Sequence, residues 1–178
     1  MFFLIVVLIA VFIIILSIIN IGKNKKNKKA FADLQNTDSR FSGAKLFDFI
    51  NTSFILISES GFIALKSLDM KELKILNIKD ITGFEVLTDG KAVANIGGAV
   101  AGGILFGGIG AIIGGMQQQE KITKMSFLFK TNDFNNPNIE IPVIALSVKK
   151  GSFEHKAIEG KLRDLTNTLE VVERKYRQ

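Results

Sequence analysis

From Ile96 to Met116 the chain runs IGGAVAGGILFGGIGAIIGGM, without one charged residue. At a spacing of four, Asn95, Ala99, Gly103, Gly107, Ala111 and Gly115 fall on one track. Ala94, Gly98, Gly102, Phe106, Gly110 and Gly114 fall on a second. Small residues at i, i+4 and i+8 give a helix a smooth groove, and in lipid such grooves let two backbones pack by van der Waals contact. In water each of these glycines would cost a helix about 1 kcal/mol relative to alanine. The pattern therefore asks for surroundings that hold the backbone, a membrane above all. It also separates every element before it from every element after it, so any fold must either close around it or split at it.

The chain opens on a second apolar run, Phe2 to Ile21, broken only by Ser17 and Asn20. About 20 residues of helix cross the roughly 30 Å hydrocarbon core. No basic residue precedes the run and no small-x-small site follows it, so an uncleaved anchor is expected rather than a signal peptide. Lys23, Lys25, Lys26, Lys28 and Lys29 come directly after it. Lysines beside a span stay cytoplasmic, which predicts an outward N-terminus and a cytoplasmic main domain. The same lysines are candidate contacts for anionic lipid, worth about 1 kcal/mol each near such a surface. Five of the 23 basic residues sit in this cluster, and the rest nearly balance the 17 acidic ones. The high pI is thus a juxtamembrane feature and does not point to nucleic acid. With no cysteine, disulfides, thiolate metal sites and cysteine nucleophiles are excluded.

Behind the anchor lies enough chain for one domain with a core of its own. Ala30 to Gly43 reads as a polar approach segment, a short helix or loop. Ser53–Ser58 and Phe62–Lys66 flank Glu59-Ser60-Gly61 and read as a β-hairpin; Lys71–Ile78 and Ile81–Leu87 are further strands, ended by Asp89-Gly90. After the glycine segment, Lys124–Thr131 alternates Met125, Phe127 and Phe129 against Ser126, Leu128 and Lys130, which predicts one buried and one wet face. Ile139–Val143 is a last strand, and Pro142 places it at an edge. The period then changes. Ile158, Leu162, Leu165, Leu169, Val172 and Tyr176 form the single apolar stripe of an amphipathic helix, with Ser152 as its N-cap. The stripe suits packing on the chain's own sheet, a coiled-coil seam being the alternative.

The order of hairpin FILISESGFIALK, strand IKDITGFEVL, glycine segment, return strand KMSFLFKTND and a helix from Phe153 resembles the bacterial pleckstrin-homology-like domains. It is most similar to the membrane-tethered type with a glycine-zipper insertion. The resemblance implies an α+β fold, a small bent antiparallel sheet closed by the C-terminal helix, with a glycine-rich helical hairpin between strands. The expected organisation is an anchor over 1–22, a basic juxtamembrane linker over 23–45, and a PH-like domain over 46–178. Within that domain the insertion covers 92–118 and the helix 152–176. The family pattern carries over no functional residue.

Three paths are open to the glycine segment. It can form a hairpin that dips into the membrane or self-associates, cross the bilayer fully, or fold on the chain's own sheet. A full crossing would put the two halves of the domain on opposite sides, where they could not share a sheet. Gly98, Gly102, Gly103, Gly107, Gly110, Gly114 and Gly115 are the candidate self-association or membrane contacts. A phosphate loop is not indicated, because no Lys-Ser/Thr pair follows the glycines.

Catalytic signals are weak. His155 is the single histidine, expected at the surface or as a cap, and Asp48, Asp80 and Asp133 share no metal-ligand spacing. No cofactor, metal, nucleic acid or small-molecule substrate is expected. The reading is a non-enzymatic, single-pass, membrane-anchored binding or scaffolding module in a bacterial inner membrane. Its expected partners are lipids, further copies of itself and an unidentified protein. The alternative is a membrane-active bacterial or prophage effector, acting in phage defence or superinfection exclusion by oligomerising in the membrane.

Overall fold

The computed structural model describes residues 28–49, 52–96, 121–144 and 146–177, with the single positions 7 and 25, and gives backbone alone for 91–96 and 177. The expected anchor 2–21, Val7 apart, and the zipper glycines from Gly98 to Gly115 lie outside the described residues. Among the described residues no helix is long and apolar enough to cross a membrane.

The described chain is α+β. β1 (Lys45–Phe49), β2 (Ser53–Ile57), β3 (Phe62–Ser67) and β4 (Lys74–Asn77) form an antiparallel meander. A second antiparallel sheet has the order β6-β5-β8-β9, from β5 (Ile81–Thr88), β6 (Lys91–Ile96), β8 (Met125–Thr131) and β9 (Asn138–Pro142). Two short strands, β7 (Lys121–Ile122) and β10 (Val148–Lys149), pair as a ribbon. The C-terminal helix covers Phe153–Arg177. β9 is an edge strand, as Pro142 requires. β1 and β6 have no counterpart in the expected strands, and β4 starts later than expected, at Lys74.

The main core takes Phe47, Ile55, Ile57, Ile63 and Leu65 from the first sheet, and Phe84, Val86, Phe127, Phe129 and Ile141 from the second. Leu162, Leu165, Leu169 and Val172 of the helix stripe complete it, with Ile158 and Tyr176 at its margin. The stripe therefore packs on the chain's own sheets rather than forming a coiled-coil seam. Phe84 and Phe129 are cross-strand partners whose rings meet edge-on at 5.6 Å, and Phe127 lies 5.0 Å from Phe129. Aromatic clusters of this kind add about 0.5–1.5 kcal/mol per pair beyond area burial. The other face of β8 is less wet than its alternation predicts: Ser126 is buried, and Leu128 and Lys130 are half-buried.

β2 is buried at all five positions. A strand covered on both faces reads as a continuous apolar run, and SFILI is one. Phe54 and Leu56 face away from the main core into a second cluster with Phe31, Phe41, Ala44 and Ala64. The chain before β1 supplies that cover. Residues 28–37 are helical, and a 3-10 turn, Ser39–Phe41, follows with Asp38 as its cap. The expected polar approach segment is thus amphipathic and packed, with Phe31 and Phe41 fully buried.

Gly61 at the β2–β3 turn has φ +85, and a Cβ there would stand 3.2 Å from both Ile78 Cγ2 and the Tyr176 ring. Both the backbone and the close approach of the helix end require glycine.

Candidate functional site

The stem of the glycine segment is built by β5 and its two neighbours. β5 turns into β6 through Asp89-Gly90, with φ 49 and 78, the left-handed pair that a two-residue hairpin needs. β6 and β8 both run antiparallel to β5, one on each side, so they are parallel to each other. Lys91 and Met125 both lie opposite Thr88, while Ile96 and Phe129 both lie opposite Phe84. The chain therefore leaves β6 at one end of β5 and enters β8 at the other. Parallel strands in one sheet need a crossover connection of a dozen or more residues, and 97–124 supplies it.

This topology removes one of the three paths. β6 and β8 hydrogen-bond the same strand, so both ends of the glycine segment lie on one side of any bilayer. A single full crossing would put the hydrocarbon core inside a hydrogen-bonded sheet, where it cannot be. The full-span path is thereby corrected, and the hairpin and own-sheet paths remain.

Asp89 fastens the return end of the segment. Its Oδ1 accepts from the backbone N–H of Thr123 at 3.0 Å and of Lys124 at 2.9 Å, and from the Thr123 hydroxyl, while its own N–H donates to Lys124 O at 2.8 Å. The turn that precedes the segment is thus tied to the residues that follow it. The Thr123 hydroxyl and then the two backbone donors hold the Asp89 carboxyl below the usual carboxylate range. With its folded pKa lowered, the clasp contributes fully above the unfolded value of about 3.9 and is lost as pH falls through the folded pKa below it. Asp89→Asn keeps a side chain that tolerates positive φ but removes the charge. It is expected to destabilise by about 1 kcal/mol at neutral pH and to flatten the acid limb of a urea-denaturation series.

The lysine-rich approach is docked as well. Lys28 Nζ pairs with Asp48 Oδ2 at 2.6 Å, Phe31 packs on Phe54 with ring centroids 5.8 Å apart, and Gln35 Nε2 donates to Ala44 O at 2.6 Å. Arg40 lies over the Phe62 ring at 4.9 Å and pairs with Asp38, whose carboxyl it holds below its ordinary range. Of the candidate lipid lysines, Lys25 and Lys29 are exposed and Lys28 is shared with Asp48; Lys23 and Lys26 lie outside the described residues.

Residues 34–145 match the model of a family described as the glycine zipper containing PH domain. The chain belongs to this family. No curated protein and no solved structure matches it. The match starts inside the docked helix and runs through the glycine segment and β9 to residue 145, so the segment is part of the family pattern. In this glycine-zipper PH domain the sheet, the crossover stem and the helix-covered face form one structure.

The remaining candidates separate. His155 is buried rather than at the surface, with Nδ1 2.9 Å from Glu159 Oε1 and accepting from Gly151 N–H at 3.3 Å. The i,i+4 spacing to Glu159 is the sequence signal that marks this partner. Ser152 caps the helix as expected, its hydroxyl accepting from the His155 N–H at 3.2 Å. Asp80 and Asp133 lie near one another through the Asn132 N–H, which donates to Asp80 O at 2.9 Å, whereas Asp48 is held by Lys28. Among the described residues no group of three or more His, Asp or Glu could hold a metal ion. The Asp89 clasp was the feature that sequence patterns missed: Asp89-Gly90 announces a turn, and nothing in its spacing announces Thr123.

Proposed function

We propose that this glycine-zipper PH domain is a non-enzymatic binding or scaffolding module, held at the cytoplasmic face of a bacterial membrane by residues 2–21. Its zipper supplies self-association or a second bilayer contact. The observation that carries the reading is the stem: both ends of an uncharged, glycine-tracked segment emerge from one sheet of a folded domain. A segment so rooted can enter and leave a membrane, or meet its copy, without dividing the domain. The docked helix supports it from the other side. Lys28 and Phe31 fix the chain within a few residues of the apolar run, so an anchor there would set the orientation of the domain. The lysine cluster supports the cytoplasmic side, and its partners would be anionic lipids and further copies of the chain.

Membrane fractionation tests this. Full-length protein should sediment with membranes through a carbonate wash, and deletion of 2–21 should move it largely to the soluble fraction. Recovery of the full chain in the soluble fraction would reject the anchor.

A further inference from the structure

We propose that the end of the domain from which the N-terminal chain departs docks on an anionic bilayer surface through Leu146 and Phe153, framed by Lys121, Lys149 and Lys156. The inference rests on the anchor reading above and adds to it a surface with a defined place in the fold.

Two helices fix that place. Residue 28 meets β1 at Asp48, and Gln35 meets the chain at Ala44, just before β1 begins. The C-terminal helix crosses β1 in the same sense. Lys161 Nζ donates to Asp48 O at 2.6 Å, and Asp164 pairs with Lys45 at 2.5 Å. Both helices therefore run antiparallel to β1, with their N-termini beyond its Asp48 end. The described part of the leading helix begins there, at residue 28. The C-terminal helix begins at Phe153, eight residues or about 12 Å of helix axis before Lys161, on that side of the contact.

The chemistry at that end has no use inside the fold. Phe153, the first residue of the helix, is 83% exposed, and Leu146 is 80% exposed. Between them in sequence, Lys149 lies directly opposite Lys121 across the β10–β7 ribbon, and both are exposed. Like charges directly opposite each other destabilise a strand pair, so the arrangement favours an anion from outside. Lys156 is exposed at the end of the first helical turn, and Glu154 is the acid beside it. Large apolar side chains set among lysines match the acyl–headgroup boundary of an anionic leaflet, where the side chain enters and the ammonium groups stay with phosphate. Phe134, 95% exposed in the β8–β9 loop, has no such setting and is an isolated surface residue.

The test uses the full chain in vesicles of phosphatidylcholine and phosphatidylglycerol. The native sequence has no cysteine, so a polarity-sensitive fluorophore can be placed on Ser147→Cys, or on Ser42→Cys at the opposite end of β1. Both positions are exposed. The Ser147 label should be blue-shifted and quenched by nitroxide lipids, and the Ser42 label should report water. Adding F153D and K149Q should return the Ser147 label to aqueous emission while the protein still floats with the vesicles. K149Q alone should shift the docked-to-undocked ratio roughly fivefold, as expected for one lysine at such a surface. Protein that floats with an aqueous Ser147 label overturns the docking surface and leaves the anchor standing. Protein that does not float overturns both.

Discussion

Replacing Phe31 by alanine is expected to release the leading helix from the domain, at a cost of about 3–5 kcal/mol, the range for a fully buried phenylalanine. Phe31 is 0% exposed and fills the space over Phe54 and Leu56 with Phe41 beside it. Removing it leaves a cavity between a short helix and the sheet face that the helix and the turn after it cover. The loss should be local. In hydrogen exchange, amides of 28–37 and of β2 should lose protection, while β5 and β8, whose aromatic cluster lies in the main core, should keep theirs. The control is Lys28→Ala, which keeps the Phe31 contact and removes an ion pair whose lysine is 57% exposed. Its effect should stay below about 1 kcal/mol. If Phe31→Ala leaves exchange at 28–37 unchanged, the helix is not held by that contact.

The second large effect concerns the glycine track. Gly103→Leu with Gly107→Leu puts two bulky side chains on one track of small residues, where zipper packing would need close backbone approach. If the zipper is the self-association surface, cross-linked oligomers in membranes should fall by roughly tenfold, a change that about 1.4 kcal/mol of lost packing produces. Far-UV circular dichroism should stay unchanged, because the stem is held by β5 and Asp89 rather than by the glycines. Oligomers that survive the double substitution would take these glycines out of the contact. Replacing Gly98 and Gly102, or Gly110, Gly114 and Gly115, would then show whether another part of the segment makes it.

Much of this fold was legible where burial follows a period. The hairpin around Gly61, the strand with Phe127 and Phe129, the edge strand ending in Pro142 and the helix stripe from Ile158 to Tyr176 all stand where periodicity puts them. Elements whose pattern is set by something other than one buried face were harder to read. β1 alternates Phe47 and Phe49 with Leu46 and Asp48, but the Asp48 carboxylate meets Lys28, and it breaks the strand signal. β6, with sequence KAVANI, continues smoothly into the glycines and reads as part of them. β7 and β10 are two residues each, too short to carry a period. The docked helix looked polar because its apolar contacts come from Phe31, Leu34 and Phe41, spread over a helix and a turn.

The candidate site divides along the same line. The glycine track and the lysine cluster are composition, and composition is visible. What decides their meaning is that β6 and β8 flank one strand, a long-range pairing with no local trace. That pairing, rather than any residue type, removed the full crossing.

The most direct test of the central claim, one domain on the cytoplasmic side of the membrane, is thiol accessibility of the full chain in intact bacterial cells. Lys79→Cys precedes the glycine segment and Asn135→Cys follows it, and both positions are exposed. The account predicts that an impermeant thiol reagent labels neither position until the cells are permeabilised, and then labels both. Labelling of both in intact cells would place the domain outside and contradict the cytoplasmic assignment. Labelling of one alone would contradict the shared sheet itself.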